Sequence, residues 1–281
     1  MNNNPNYNKK NLLSNFTPSS FAVITGASSG LGKEFAYALG KCGINTLLIA
    51  RRGDIIMKIS KDLTEKFKTK NEIYVVNLAD LNQVEKLADF LSKREDIKIL
   101  INNAGFGLRG LFHEIEPYKE LNMMMVHMIC PARLIRAILP NMIKNNCGVI
   151  INVSSLAAFI NYFGASLYSS TKRFLVELSK SLKFEINNPN IKIQALCPGF
   201  VHTEFHSVGD YSNFSEKSIP KFLWMNPDKV VEISLKSLEK NKIIVIPGTK
   251  NKFFKLIFEI PIINYIIKKI ISKKAKKIKL T

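Results

Sequence analysis

The chain has 281 residues, of which 46% are hydrophobic and 22% charged, so it can bury a sizeable core and is not broadly disordered. The lack of any run of roughly 18 uncharged apolar residues argues against a membrane-spanning helix, and seven asparagines with no apolar core in the first twenty residues argue against a secretory signal. The four cysteines are scattered without a Cys-x-x-Cys pair, which argues against a disulfide scaffold or a zinc ribbon and fits the reducing cytoplasm.

The net charge of +19 is distributed unevenly. Forty-one basic residues oppose 22 acidic ones in the whole chain, but residues 250–281 alone contain ten lysines and one acid. A basic excess favours an anionic partner, either nucleic acid or a membrane surface. Nothing in the sequence resembles a motif that reads nucleic acid, so we expect no nucleic-acid partner.

After a polar arm (residues 1–20), short apolar segments alternate with longer amphipathic ones. The apolar segments are rich in Ile and Val, as expected of strands buried on both faces; they are 21–25, 45–50, 73–76, 97–101, 149–153, 191–196 and 243–246. Helical periodicity falls near 31–42, 54–69, 82–93, 117–145, 166–187 and 227–240. Seven strands with six intervening helices predict one α/β domain with a doubly wound parallel sheet over residues 21–249, and then a tail, residues 250–281.

A glycine-rich turn joins the first predicted strand to the first predicted helix. Residues 25–32 read Thr-Gly-Ala-Ser-Ser-Gly-Leu-Gly, with the spacing Gly-x-x-x-Gly-x-Gly. Gly26 permits the tight turn, Gly30 lets the backbone approach a pyrophosphate, and Gly32 lets the helix pack closely on the strand. The N–H groups and the positive end of the helix dipole suit phosphate, so the turn predicts a dinucleotide site; the alternative is a turn that binds nothing.

The end of the second predicted strand bears on the choice of dinucleotide. An acid at this place usually binds the ribose 2′-hydroxyl of NAD, whereas this chain has Ala50-Arg51-Arg52. The planar guanidinium of Arg51 suits a 2′-phosphate, and Ser28 can donate a further hydrogen bond. We therefore predict NADP(H) rather than NAD(H); the alternative is a pair of solvated arginines.

Tyr168 and Lys172 are four residues apart in the segment Tyr-Ser-Ser-Thr-Lys. In a helix they share one face. A free tyrosine has a pKa of about 10, and a lysine cation beside it favours the phenolate, which suits general acid–base catalysis. Ser155, just past the strand at 149–153, can donate a hydrogen bond to a substrate carbonyl oxygen. Taken alone, such a Tyr-x-x-x-Lys pair usually lies on an exposed helix.

The order of the motifs along the chain resembles the short-chain dehydrogenase/reductase family. The set comprises Gly-x-x-x-Gly-x-Gly, Asn-Asn-Ala-Gly at 102–105, Ser155, the Tyr168–Lys172 pair and Pro198-Gly199. The resemblance covers about residues 21–247. It implies a single-domain Rossmann-type fold that transfers a hydride between a nicotinamide and a ketone, aldehyde or secondary alcohol. It also implies a homo-oligomer formed through the helices at 117–145 and 166–187.

The resemblance assigns roles to individual residues. Tyr168 is the proton donor in reduction, Lys172 binds the nicotinamide ribose and tunes Tyr168, and Ser155 orients the carbonyl. The cofactor cleft is lined by Asn103, Ala104 and Gly105. The nicotinamide is contacted by Pro198 and Thr203, and Gly199 also binds the cofactor. The pyrophosphate and the adenosine ribose are surrounded by Gly26, Ser28, Ser29, Gly30, Leu31 and Gly32.

Two positions depart from the family pattern. Asn77-Leu78 stands where an aspartate usually precedes leucine and contacts adenine, and the asparagine oxygen can still accept a hydrogen bond. His127 stands where an asparagine usually anchors a water of the proton relay. A neutral histidine can accept and donate in the same relay and can titrate near neutral pH. The alternative is a histidine packed between helices.

The region corresponding to the substrate lid, residues 204–226, is rich in aromatic side chains: Phe205, Tyr211, Phe214, Phe222 and Trp224. An aromatic lining favours an apolar substrate, such as a lipid, a 3-oxoacyl group or a steroid; the same residues can instead pack the lid on the body. His202 and His206 flank Glu204, but this is not a His-Glu-x-x-His pattern, and we expect no metal site.

The tail repeats isoleucines at helical spacing, with lysines concentrated toward its end. Ile262, Ile266 and Ile270 form one row and residues 263, 267 and 271 an adjacent one. This pattern predicts a basic amphipathic helix suited to an anionic membrane surface, over about residues 253–281. The alternative is a helix that docks its isoleucines on the domain itself or on a second subunit.

Two functions from different classes remain open at this point. The first is a cytoplasmic NADP(H)-dependent reductase, peripheral at a membrane. The second is a non-catalytic nucleotide-binding protein on the same fold, recruited to a membrane by the tail. The intact Ser155, Tyr168 and Lys172 favour the first, and only His127 favours the second.

Overall fold

The computed structural model describes residue 16 and residues 19–108, 110–160, 163–206 and 219–260. The strands in this part of the chain are β1 (Phe21–Thr25), β2 (Asn45–Ala50), β3 (Asn71–Val75), β4 (Ile97–Asn102), β5 (Gly148–Val153), β6 (Ile191–Leu196), β7 (Phe200–Val201), β8 (Trp224–Met225) and β9 (Ile244–Val245). Seven of them form one sheet in the order β3-β2-β1-β4-β5-β6-β9, and every pair is parallel. The predicted seven-stranded parallel sheet is confirmed.

Helices cover both faces of this sheet. They are α1 (Gly30–Lys41), α2 (Gly53–Phe67), α3 (Leu81–Ser92), α4 (Pro117–Met124), α5 (Cys130–Lys144), α6 (Ser166–Ile186), α7 (Pro227–Glu239) and α8 (Thr249–Glu259). Apolar side chains of α1, α2 and α7 join one buried cluster, and those of α3, α5 and α6 join the other. The doubly wound Rossmann-type arrangement is therefore confirmed as well.

The strands are apolar on both faces because each face is covered. Along β1, Ala22 and Ile24 point into the α1/α2/α7 cluster, while Phe21 and Val23 point into the α3/α5/α6 cluster. All four side chains are at most 3% exposed. Successive side chains of a strand point to opposite faces, so those of β1 enter the two clusters in turn. The sequence of β1 therefore shows no polar face.

The structure adds two features that the apolar pattern did not predict. β7 and β8 form a separate parallel pair beyond the main sheet. The predicted helix at 117–145 is continuous but contains a π-helical turn, Met125–Ile129, between α4 and α5. The tail's first helix, α8, overlaps the start of the amphipathic helix that the sequence predicts over about residues 253–281.

The helix Pro117–Lys144 is long and apolar enough to cross a membrane by length and composition alone. In this structure it lies against the sheet, and Leu134 and Ile138 of α5 are at most 1% exposed within the α3/α5/α6 cluster. The apolar character is explained by this packing. We interpret the segment as a core helix.

Helix α8 corrects the domain boundary that we placed after residue 249. Phe254 and Phe258 pack against a buried cluster that includes Val176, Cys197 and Ile246. The first turns of the predicted tail therefore belong to the domain. The rest of the predicted amphipathic helix, from residue 261 onward, lies outside the described residues.

Candidate active site

The glycine-rich turn lies at the carboxyl end of β1, where it runs into α1. Gly26 and Gly30 have φ angles of +66° and +54°, a region that glycine adopts without steric cost. Gly32 is crowded instead: a Cβ there would overlap Gly26 O and come within 2.5 Å of Asn103 Nδ2. Two glycines with positive φ and one close backbone contact at Gly32 thus shape the turn. Ser28, Ser29 and Leu31 lie between them and are partly exposed.

A second loop, Asn103-Ala104-Gly105, follows β4 and is fastened to this turn. Thr25 Oγ1 accepts the backbone N–H groups of Asn103 (2.9 Å) and Ala104 (3.0 Å), and Asn103 Nδ2 donates to Thr25 O (2.9 Å). β1 and β4 are neighbours at the place where the strand order reverses. In open α/β sheets this is where ligands bind. Thr25, which we had not singled out, is the residue that joins the two loops.

Of the two arginines after β2, Arg52 is the one that contacts the glycine-rich turn. Its Nη2 and Nε donate to Ser28 Oγ at 3.0 and 3.2 Å. The same guanidinium lies 3.4 Å from the Glu204 carboxylate, which follows β7. The sequence favours Arg51 for the leading role. Both arginines are exposed, but Arg52 is the one bonded to Ser28; spacing alone does not tell which of two adjacent side chains turns toward the loop.

Asn77 and Leu78 follow β3 at the neighbouring strand end. The Asn77 side chain turns back on its own loop, where Oδ1 accepts the Ala79 N–H at 3.2 Å. A carbonyl oxygen has two lone pairs, so this oxygen can still accept a second hydrogen bond. Leu78 is buried in the α3/α5/α6 cluster and fixes the loop on the core.

Ser155, Tyr168 and Lys172 come together at the carboxyl end of β5. Ser155 begins the short 3₁₀ turn Leu156–Phe159, and its Oγ accepts the Ala157 N–H at 3.1 Å, which leaves its own O–H to donate elsewhere. Lys172 is 4% exposed and donates from Nζ to Val153 O at 3.0 Å. Nζ lies 5.8 Å from the centroid of the Tyr168 ring. Burial lowers the pKa of Lys172 to about 8, so the ammonium remains protonated at neutral pH.

His127 lies beside this group, in the π-helical turn, and it is fully buried. Its ring contacts those of Phe106 and Tyr168, with centroids 5.6 and 5.8 Å apart. Burial, with the positive charge of Lys172, lowers the pKa of His127 well below 6.5. The prediction that His127 titrates near neutral pH is therefore wrong in this environment, because a charged imidazole would be desolvated next to an ammonium.

The loop Pro198-Gly199 packs closely against helix α8. Asn251 of α8 is 3% exposed and donates to Pro247 O at 2.8 Å. A Cβ at Gly199 would lie 2.7 Å from Asn251 Oδ1, so only glycine fits against it. Thr203, farther along the loop, faces Gly30, where a Cβ would lie 3.3 Å from the Thr203 Cβ. Asn251 was not predicted, since it is 52 positions from Gly199.

The predicted lid is described only at its two ends. Phe205 lies 6.1 Å from Tyr168 between ring centroids. His202, which we considered and rejected as a metal ligand, stacks on Trp224 at 4.8 Å. Tyr211 and Phe214 lie outside the described residues. An aromatic side chain from this segment therefore reaches the proposed proton donor.

Comparison with known proteins gives consistent matches. The family described as "short chain dehydrogenase" matches residues 20–209. An NADP-dependent 3-hydroxy acid dehydrogenase of Schizosaccharomyces pombe is 32% identical over 81% of this chain and 90% of its own. The human very-long-chain 3-oxoacyl-CoA reductase is 28% identical over 67% of this chain and 61% of its own. A solved short-chain dehydrogenase from Sphingobium yanoikuyae in complex with NADPH has a TM-score of 0.77 and 26% identity, covering 82% of this chain and 88% of that one.

Proposed function

Because the chain belongs to the short-chain dehydrogenase/reductase family, we propose that it is an NADP(H)-dependent oxidoreductase that interconverts an apolar ketone or aldehyde and its alcohol. One observation carries the proposal: Ser155, Tyr168 and Lys172 converge at the carboxyl end of β5, beside the crevice between the β1 and β4 loops. The test is NADPH consumption over a panel of a short aldehyde, a long-chain methyl ketone, a long-chain 3-oxoacyl thioester and a ketosteroid. No turnover on any of them would contradict the proposal.

The crevice fits a dinucleotide in its backbone shape. Side chains at Gly26 and Gly32 would collide with the Asn103-Ala104 loop, so their absence lets the two loops pack closely beside the N-terminus of α1, which suits phosphate. A bound nicotinamide supplies the hydride that adds to the carbonyl carbon. The residues that we assign to the cofactor are Gly26, Ser28, Ser29, Gly30, Leu31, Gly32, Arg51, Arg52, Asn77, Leu78, Asn103, Ala104, Gly105, Tyr168, Lys172, Pro198, Gly199 and Thr203.

The protein's own residues then bind the carbonyl oxygen and transfer a proton to it. Ser155 donates a hydrogen bond to the oxygen, and Tyr168 gives it a proton as the negative charge develops. The Lys172 ammonium stabilises the phenolate that Tyr168 leaves behind, since it is a desolvated cation held in place by Val153 O. In the direction of alcohol oxidation the same phenolate accepts the proton.

Arg52 supports NADP(H) over NAD(H). Its guanidinium already donates to Ser28, so it lies where a 2′-phosphate on an adenosine ribose can be reached from the glycine-rich turn. We expect Arg52→Gln to weaken NADPH binding about 10- to 100-fold, the equivalent of one lost charged hydrogen bond, and to leave NADH binding unchanged. Fluorescence titration of both cofactors measures this.

Two further variants test the assignment of Arg52 in the same titration. Arg51→Gln is the matched control, and a larger loss of NADPH affinity there than at position 52 would contradict the assignment. Glu204→Gln removes the carboxylate that pairs with Arg52. It should strengthen NADPH binding by less than about fivefold, because exposed ion pairs contribute at most about 1 kcal/mol.

An apolar substrate is supported by the side chain that reaches the proposed proton donor and by the similar proteins. Phe205 lies against Tyr168, and aromatic walls favour apolar ligands. The similar proteins include one named for a 3-hydroxy acid and one named for a very-long-chain 3-oxoacyl group. We therefore expect the long-chain 3-oxoacyl thioester to have the highest kcat/KM in the panel.

We also propose that the enzyme is cytoplasmic and binds anionic membranes from its α8 side. Two apolar residues of α8 and the residue that follows it are exposed: Phe253 (62% exposed), Leu256 (60%) and Ile260 (41%). The exposed Phe222 adjoins the first turn of α8, since Lys250 Nζ lies 4.9 Å from its ring centroid. The exposed Lys252 and the seven lysines of residues 261–281 add positive charge. This combination suits an anionic lipid surface.

Replacing both Phe253 and Leu256 with serine should reduce binding to phosphatidylcholine vesicles containing phosphatidylserine by about tenfold or more. Co-sedimentation of the full chain measures it. Met57→Ser on α2 is the matched control, because Met57 is equally exposed (60%) and should bind as the wild type does. Unchanged binding of the double variant would contradict a role for α8. A truncation should start after residue 260, because α8 packs on the core.

From the resemblance to the family, we also propose that the chain forms a homo-oligomer. The helices at 117–145 and 166–187 that would form it carry exposed apolar side chains, among them Leu121 (59% exposed) and Phe184 (87%). An apolar surface of this kind favours association with another protein surface. Light scattering on the purified chain determines the subunit number.

A further inference from the structure

Both ring nitrogens of the buried His127 are engaged by neighbouring segments. Phe106, in the loop after β4, donates its backbone N–H to Nε2 at 3.1 Å, and Nδ1 lies 2.9 Å from Thr171 Oγ1 on α6. A backbone N–H can only donate, so Nε2 carries no proton. The neutral ring therefore carries its hydrogen on Nδ1 and donates it to the Thr171 hydroxyl.

The Thr171 hydroxyl extends this chain to the backbone of the proposed proton donor. Thr171 Oγ1 donates to Tyr168 O at 2.9 Å. The hydrogen bonds thus run in one direction, from Phe106 N–H to the imidazole, from the imidazole to Thr171, and from Thr171 to the carbonyl of Tyr168. Both His127 and Thr171 are completely buried, so water does not replace these partners.

The same ring also sets the spacing between the β4 loop and Lys172. A Cβ at Gly105 would lie 3.0 Å from His127 Nε2 and 3.3 Å from Lys172 Nζ. Backbone, imidazole and ammonium are therefore packed against one another with no space for a larger group. A proton added at Nε2 would point at the Phe106 N–H and lie close to the ammonium, which is unfavourable on both counts.

We infer that His127 and Thr171 are positioning residues that hold α6, with Tyr168 and Lys172, at a fixed distance from the β4 loop. In this arrangement the imidazole carries no proton between substrate and solvent. It acts as a rigid connection in one tautomer. The inference rests on the proposed reductase function, and it replaces our sequence-based assignment of His127 to the proton relay.

Two variants that each interrupt the chain test the inference. His127→Phe keeps an aromatic ring of similar size without hydrogen bonds, and Thr171→Val keeps the shape of threonine without its hydroxyl. We expect each to lower kcat for the best panel substrate by about 10- to 100-fold, as misplacement of a catalytic group does. Because both break one chain, the double variant should lose little more than either single variant. His127→Gln, which can still accept from Phe106 N–H, should recover part of the activity.

The pH profile separates positioning from proton transfer. If His127 only positions Tyr168, the pH dependence of kcat keeps its shape in His127→Phe, including any limb near the Lys172 pKa of about 8. A limb that disappears or shifts in this variant would instead show proton transfer through the ring. Additive losses, or full activity of both single variants, would overturn the inference. If the wild type itself turns over no panel substrate, the proposed function fails rather than this inference. NADPH titration and thermal melting confirm that each variant is folded.

Discussion

Replacing Tyr168 with phenylalanine is expected to abolish most carbonyl reduction and to leave NADPH binding intact. The change removes one phenolic oxygen and keeps the ring that contacts His127 and Phe205. A positioned general acid contributes about 10²- to 10⁴-fold to a rate, so kcat should fall by that factor. The loss of NADPH absorbance, followed with the best panel substrate, measures kcat, and fluorescence titration measures NADPH affinity.

Tyr74→Phe is the matched control for this experiment. Tyr74 lies on β3, where its ring packs on Phe90 at 5.4 Å, and its variant should keep full activity. Full activity of the Tyr168 variant would contradict the proposed mechanism. If both the wild type and the Tyr168 variant bind NADPH but reduce none of the carbonyl compounds, the non-catalytic nucleotide-binding alternative is favoured.

The fold was largely predictable because its strands are buried on both faces. Continuous Ile- and Val-rich runs identified the seven strands of the main sheet, and the ends of β1, β2 and β6 coincide with the predicted ones. β7 and β8 were not predicted, since two residues are too few to show a pattern. The π-helical turn at Met125–Ile129 was missed for another reason. A π-helical turn adds one residue to a helical turn, and within a long periodic segment this one-residue shift hardly changes the spacing of the apolar residues.

The geometry of the site could be predicted where the sequence spacing of two residues determines it. It could not be predicted where it depends on a residue far away in the sequence. Tyr168 and Lys172 share a helix, so four positions place them on one face. The choice between Arg51 and Arg52 depends on Ser28 and Glu204. The tautomer of His127 depends on Phe106 and Thr171, 21 and 44 positions away. Such contacts form only when the sheet brings separate loops to one edge.

Replacing Gly32 with alanine is the second change with a large expected effect, on both stability and NADPH binding. Alanine favours a helix by about 1 kcal/mol over glycine, which by itself predicts a more stable α1. The new Cβ, however, would overlap Gly26 O and lie 2.5 Å from Asn103 Nδ2. Backbone cannot rotate away as a flexible side chain can, so the turn or the helix must shift, at a cost of about 2–4 kcal/mol.

The crowding at Gly32 should outweigh the helix preference, because its cost is the larger of the two. We expect a lower melting temperature and an NADPH affinity weakened by about 100-fold, which corresponds to 2.7 kcal/mol of lost binding energy. Gly43→Ala is the control: Gly43 has φ +77° but nothing within 4 Å of a Cβ. There the cost is only about 1–2 kcal/mol of backbone strain, and NADPH should bind normally. An alanine at position 32 that left both melting and NADPH affinity unchanged would show that the β1 and β4 loops can separate without disturbing the cofactor site.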